Sequence, residues 1–133
     1  MKLTTKGYYA LQSILDMVNN GNERPVRLVD ISDRQALPLS YLEQIFRNLR
    51  KGNIVRSVRG PGGGYVLAFP TNQITIGQIL TSVKETMQYS DTVSKPKKET
   101  TEYQLMQKFF KRLDDVVLNE LNLTTVEDLI KGN

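Results

Sequence analysis

The stretch Arg59–Leu67, RGPGGGYVL, packs four glycines and a proline into residues 60–64, with an arginine ahead and a β-prone run behind. Glycine lets a backbone take positive φ or come close to another group. Three uses fit such a loop: a phosphate cradle, a hairpin turn, or a contact with nucleic acid. The cradle fails on spacing. A Walker-type loop requires G-x-x-x-x-G-K-[ST], and no Gly-Lys-Ser or Gly-Lys-Thr occurs in the chain. The dinucleotide pattern G-x-G-x-x-G is absent as well. A phosphate loop opens a helix, whereas Tyr65, Val66 and Leu67 favour a strand. The stretch therefore predicts the tip of a β-hairpin, with first strand Ile54–Arg59 and second strand Tyr65–Ala68.

Upstream of the hairpin, residues 39–51, LSYLEQIFRNLRK, read as a helix that Gly52 should stop. Leu42, Ile45, Phe46 and Leu49 form its apolar stripe, and Ser40, Glu43, Gln44, Arg47 and Lys51 recur at spacings of three and four on the other side. Those donors, acceptors and cations are the types that read base edges and hold phosphates. Leu28–Gln35 reads as a shorter helix, followed by the turn Ala36-Leu37-Pro38, because the residue before proline avoids helix. Residues 5–20 read as the first helix, with Ala10, Leu11, Ile14, Leu15 and Val18 inward. Two short helices joined by a tight turn, the second polar outside, make a helix-turn-helix. A basic hairpin directly after it makes a winged helix. Glycines at the wing tip would let backbone N–H groups approach a phosphate or enter a narrow groove, and Arg59 at its base could enter the minor groove or pin a phosphate.

Charge supports this reading. No acidic residue stands between Glu43 and Glu85, while Arg47, Arg50, Lys51, Arg56, Arg59 and Lys84 do. Residues 1–88 hold eleven basic and six acidic side chains, and residues 89–133 hold seven and eight. The positive potential thus belongs to the part with the hairpin, the electrostatic footprint of phosphate binding. The sequence pI of about 9.4 points to an anionic partner. The 133 residues have neither cysteine nor histidine, so disulfides, thiolate metal sites and Ser-His or Cys-His catalysis are excluded. No carboxylate pair of the acid–base kind stands out; Asp114–Asp115 reads as a solvated face. The expectation is a non-enzyme without metal or cofactor. No apolar run approaches the length of a membrane span and the N-terminus has no signal core, so the reading expects a cytoplasmic protein with no membrane partner.

Further along, Thr75 with Gln78 resembles a capping box opening a helix through about Glu85, and Gln88–Glu99 reads as a linker. Glu102–Leu121 is the longest predicted helix. Tyr103, Met106, Phe110, Leu113, Val117 and Leu121 line one side, supplemented by Phe109, Val116 and Leu118. That wide arc predicts burial on two sides, by the parent domain and by a second subunit. Thr124–Lys131 closes the chain as a short helix capped by Thr124 with Glu127 and anchored by Val126, Leu129 and Ile130.

MKLTTKGYYAL at the start, LPLSYLEQIFRNLRKGNIV around the third helix and SVRGPGGGYVL in the wing closely resemble the IscR/NsrR/CymR-type family of bacterial winged-helix transcription regulators. SYLEQ and RGPGGGY are most similar to the IscR branch. The resemblance covers residues 1–88 without a gap and the remainder more loosely. It implies a mainly α fold with a small β-hairpin wing: a winged helix-turn-helix domain over 1–88, a flexible linker over 89–100, and a long dimerisation helix with a closing helix over 101–133. It implies a homodimer that binds partly palindromic promoter DNA, most often as a repressor. The helix with Ser40, Tyr41, Glu43, Gln44 and Arg47 would enter the major groove. Arg59, Gly60, Pro61, Gly62, Gly63 and Gly64 would reach the minor groove, and Thr4 to Lys6 would lie near the backbone. Met106, Phe110, Leu113, Val117 and Leu121 would form the dimer face. Glu43 would tune specificity, because a carboxylate accepts from cytosine N4 yet repels phosphate.

Sensing members of this family hold an iron–sulfur cluster through cysteines before the long helix. Here that loop, residues 89–104, YSDTVSKPKKETTEYQ, is a vestige without a thiolate or imidazole. Two origins fit: a cluster-free member, as CymR-like regulators are, or one whose ligands were lost or engineered away. Two other functions stay open beside the repressor: control by, or service as, a docking module for a partner protein, and RNA binding by the winged helix.

Overall fold

The structure, a computed structural model, describes residues 3–21, 24–85 and 95–132. Its elements run α1 (Thr5–Gly21), α2 (Leu28–Gln35), α3 (Leu39–Lys51), β1 (Val55–Val58), β2 (Gly64–Leu67), a 3-10 turn at Thr71–Gln73, α4 (Ile76–Ser82), α5 (Thr101–Leu123) and α6 (Val126–Ile130). This is a mainly helical winged helix with a two-stranded antiparallel hairpin and a long C-terminal helix. The expected linker lies outside the described residues over 89–94.

The core forms where α1, α2, α3 and α4 converge. Ala10, Ile14, Ile31, Leu42, Ile45, Phe46, Leu49, Ile79 and Leu80 are buried there, so the helical periodicities point inward as expected. Asp16 is buried with them, and its charge is compensated. Arg34 donates to it from Nε at 3.0 Å and Nη2 at 2.7 Å, and Gln35 Nε2 donates at 2.7 Å. Burial alone would raise the Asp16 pKa. The hydrogen bonds from Arg34 and Gln35, with the Arg34 charge, hold it below the ordinary value of 3.8. The same contact raises the Arg34 pKa. It fastens α1 to α2, the first helix of the helix-turn-helix pair.

Among the described residues, three helices end through non-glycine residues in the left-handed region: Ala36 after α2, Asn53 after α3 and Lys84 after α4. α3 does stop at Gly52, its C-cap, but with φ of −79°, and the left-handed position falls one residue later at Asn53. Asn53 N–H reaches Arg50 O at 3.0 Å and Ile54 N–H reaches Leu49 O at 2.9 Å, a Schellman ending with both apolar partners buried. Gly52 serves a different end, because a Cβ there would lie 2.1 Å from Ser82 Oγ on α4.

The hairpin pairs Val55 with Leu67, Arg56 with Val66, Ser57 with Tyr65 and Val58 with Gly64; the first strand is a residue shorter than expected at each end, and the second is shifted one residue earlier. Val26 adds a one-residue third strand, exchanging hydrogen bonds with Tyr65 at 2.9 and 2.8 Å. The C-terminal turn also joins this body. Ile76 N–H reaches Thr124 O, Val126 N–H reaches Ile74 O, and Val126 is fully buried. The closing helix is capped one residue later than expected, by Thr125 with Asp128. Thr124 is already engaged: it ends α5, and its hydroxyl donates to Glu120 at 3.1 Å. Leu129 and Ile130, expected as anchors, are exposed.

Candidate nucleic-acid interface

The polar side of α3 is built by what its other side buries. Leu42, Ile45, Phe46 and Leu49 take the core, and the helical repeat turns Ser40, Glu43, Gln44, Arg47, Arg50 and Lys51 to the exposed side. Tyr41 is set apart from them. It is half-buried, with its ring edge-on to Tyr9 of α1 at 5.6 Å. The wing is tied to α3 by Phe46 and Tyr65, whose ring centroids are 5.1 Å apart. Between wing and helix lies a cleft of about 420 Å³ lined by Leu28, Glu43, Arg47, Arg50, Lys51 and Tyr65. Three cations and one carboxylate from a single helix thus meet the wing's inner strand.

Arg47, Arg50, Lys51, Arg56 and Arg59 are all exposed, and none has an ion-pair partner among the described residues. Solvated surfaces usually mix signs. A run of unpaired cations on consecutive elements is instead poised for a polyanion. Of the two acids bounding this run, Glu43 is exposed and Glu85 is turned inside, its side chain 1% exposed. Glu85 accepts from Thr4 N–H and Thr4 Oγ1 at 2.5 Å each, and Lys6 Nζ lies 3.9 Å away. Thr4 and Lys6 therefore stand together at the start of α1, held by an internal carboxylate.

At the wing tip the glycines divide. Gly60 and Gly62 have φ of +90° and +74° and open space where a Cβ would stand, and Pro61 between them is exposed. Gly63 is internal to the turn: its N–H donates to Gly60 O at 2.9 Å, and a Cβ would lie 2.3 Å from Val58 O. Gly64 opens β2 against the Val26 backbone. Of the tip N–H groups expected to approach a phosphate, that of Gly63 is thus already engaged within the turn.

The apolar arc of α5 also divides. Leu105, Met106, Phe109, Leu113 and Val116 are exposed, up to 66% at Val116. Phe110, Val117 and Leu121 are half-buried, and Leu121 packs on the core. The outward edge thus holds Met106 and Leu113 of the expected face, adds Leu105, and brings Phe109 and Val116 to its centre. Asp114, expected on a solvated face, is buried because its position on the helix falls between Phe110 and Val117 on the inward side.

The profile of a family described as "Iron-dependent Transcriptional regulator", Rrf2, matches residues 3–132. The chain belongs to the Rrf2 family. An HTH-type transcriptional regulator of Haemophilus influenzae is 55% identical over 85 residues, 64% of this chain and 57% of that protein. The HTH-type transcriptional regulator IscR of Pectobacterium atrosepticum is 39% identical over 132 residues, 99% of this chain and 80% of IscR. Among solved structures, CymR (YrzC), the global cysteine regulator of B. subtilis, aligns with a TM-score of 0.84 and 31% identity, covering 100% of this chain and 98% of CymR. Rrf2 proteins are transcriptional regulators, not enzymes. The family's description as iron-dependent does not fit the donors here. An iron–sulfur cluster is held by thiolates, with imidazole as the usual replacement, and this chain has neither. Among the described residues no cluster of acidic side chains could hold a metal ion, and no helix is long and apolar enough to cross a membrane.

Proposed function

We propose that this Rrf2-family chain is a homodimeric, sequence-specific repressor that binds promoter DNA without a cluster of its own. The observation that carries this reading is the run of unpaired cations from Arg47 through Arg59 over α3 and the wing. In this reading Ser40, Glu43, Gln44 and Arg47 face the major groove. Arg59, Gly60, Pro61 and Gly62 reach the adjacent minor groove, Gly63 and Gly64 shape the wing, and Thr4 and Lys6 meet the phosphate backbone. Tyr41 supports α3 from below through Tyr9. Glu43 disfavours wrong sequences by placing a carboxylate where only a matching donor tolerates it.

The dimer rests on α5. Five large apolar side chains on its outward edge are left in solvent by the single chain, and a second copy of the same face would cover them in a two-fold interface. Half-sites separated by about one or two helical turns of DNA would follow. CymR is one of the matched solved structures, and the missing thiolates favour a signal other than cluster loading, including a docked protein. The test is protection of the organism's own promoter fragments by the purified chain, with competitor DNA present. Protected sites with two-fold symmetry support the reading. Coating of all fragments alike counts against it. Protein prepared anaerobically with iron and sulfide should remain colourless; stoichiometric cluster absorbance would overturn the cluster-free part.

A further inference from the structure

We propose that Glu85 is a positioning residue for DNA binding: through Thr4 and Lys6 it holds the first turn of α1 at the angle at which that turn meets the phosphate backbone. The inference rests on the reading of Thr4 and Lys6 given above. Glu85 itself touches no exposed surface, since its side chain is 1% exposed. Burying a carboxylate is costly unless it is paired and hydrogen-bonded. Among the described residues its partners all belong to the start of α1: Thr4 N–H, Thr4 Oγ1 and the Lys6 ammonium.

Two further features are shaped around the contact. Lys84, with φ of +64°, ends α4 in a Schellman turn: its N–H reaches Thr81 O at 2.9 Å and Glu85 N–H reaches Leu80 O at 3.0 Å. A non-glycine residue in that region is strained, and here it reverses the chain so that Glu85 points back at α1. On the other side, a Cβ at Gly7 would lie 3.0 Å from Glu85 Cγ and 2.5 Å from Leu3 Cδ1, so the glycine lets α1 sit close against Glu85 without displacing it. The first turn of α1 contains no acidic residue, and Glu85 supplies the negative group its positive end favours. The first acid after the cationic run is thereby hidden, while Thr4 stays exposed and Lys6 partly so.

The experiment uses the full chain and a duplex recovered by the promoter protection above, beside a scrambled duplex. Glu85→Ala, Glu85→Gln, Thr4→Val and the Glu85→Ala/Thr4→Val pair are titrated at several salt concentrations, well below each variant's unfolding temperature. Positioning predicts that Glu85→Ala loses about tenfold in affinity for both duplexes alike, with the slope of log K on log salt shallower by about one. Glu85→Gln, which keeps shape and one acceptor, should recover most of the affinity. Thr4→Val should resemble Glu85→Ala, and the pair should lose no more than either alone. A lowered unfolding temperature with unchanged affinity and slope would make Glu85 a stabilising cap only, and raised affinity in Glu85→Ala would make it a phosphate repeller; either overturns the proposal. If the unaltered chain already fails to prefer its duplex over the scrambled one, the DNA reading itself has failed, and the two failures are told apart by that control.

Discussion

Gly62 and Gly63 are neighbours in one turn, yet the same substitution should damage them differently. At Gly62 a valine has room but must adopt a φ of +74°, which costs on the order of 1–3 kcal/mol at an exposed tip. At Gly63 it would meet the Val58 carbonyl, so the turn itself must open. Gly62→Val should keep the wing's pairing, lower the unfolding midpoint by several degrees and weaken DNA binding. Gly63→Val should also loosen the wing, seen as faster hydrogen exchange at Tyr65 and Val66. Identical behaviour in both assays would contradict the division. Asp16 makes the second prediction at this scale. Its folded pKa lies below its ordinary value, so its stabilisation is complete above about pH 4 and is lost as pH falls through the folded value. Asp16→Asn should cost about 1–3 kcal/mol at pH 7 and flatten the loss of stability below pH 4 in denaturant titrations. The run of glycines was visible in the sequence, but their division was not, because it depends on where the Val58 carbonyl falls. Asp16 could not be recognised as buried either, since its partners arrive from α2.

The ends of helices are where periodicity stops informing. The repeats located α2 and α3 at their observed bounds, because Leu28, Ile31, Leu42, Ile45 and Leu49 mark one face each. They did not show that Asn53 would take the left-handed position, since a glycine stood one residue earlier and its small size answered to Ser82 instead. The same limit applies to α5. Spacing revealed a wide apolar arc, but which edge faces inward depends on α4, an element distant in sequence. The outward edge gives an element-scale prediction. Phe109→Glu with Val116→Glu should yield monomers with folded helix content and weaker operator binding, because each half-site is then held alone. Phe110→Glu, on the inward edge, should lower stability first. Sedimentation at micromolar concentration checks both, and an unaltered chain that sediments as a monomer would refute the interface.

Over the whole molecule, the charge is arranged so that one side is cationic without internal compensation. The described ion pairs, Asp16–Arg34, Arg27–Asp30, Glu85–Lys6 and Glu127–Lys131, all spare the cations of α3 and the wing. That arrangement was legible in the sequence as a stretch free of acids, and the fold adds that α3 and the wing bring the charges together around one cleft. The α1 start could be assigned only by resemblance, and its anchoring by Glu85 needed the tertiary contact. The central claim is that α3 supplies specificity and the wing supplies affinity for duplex DNA. The most direct test is a salt series on matched and scrambled duplexes with the unaltered chain, Glu43→Ala and Arg59→Ala. The account predicts strong preference for the matched site in the unaltered chain. It predicts relaxed preference with affinity kept or raised in Glu43→Ala, and in Arg59→Ala a loss on both duplexes with a salt slope shallower by about one. Equal binding of matched and scrambled duplexes by the unaltered chain, or unchanged affinity in Arg59→Ala, would contradict it.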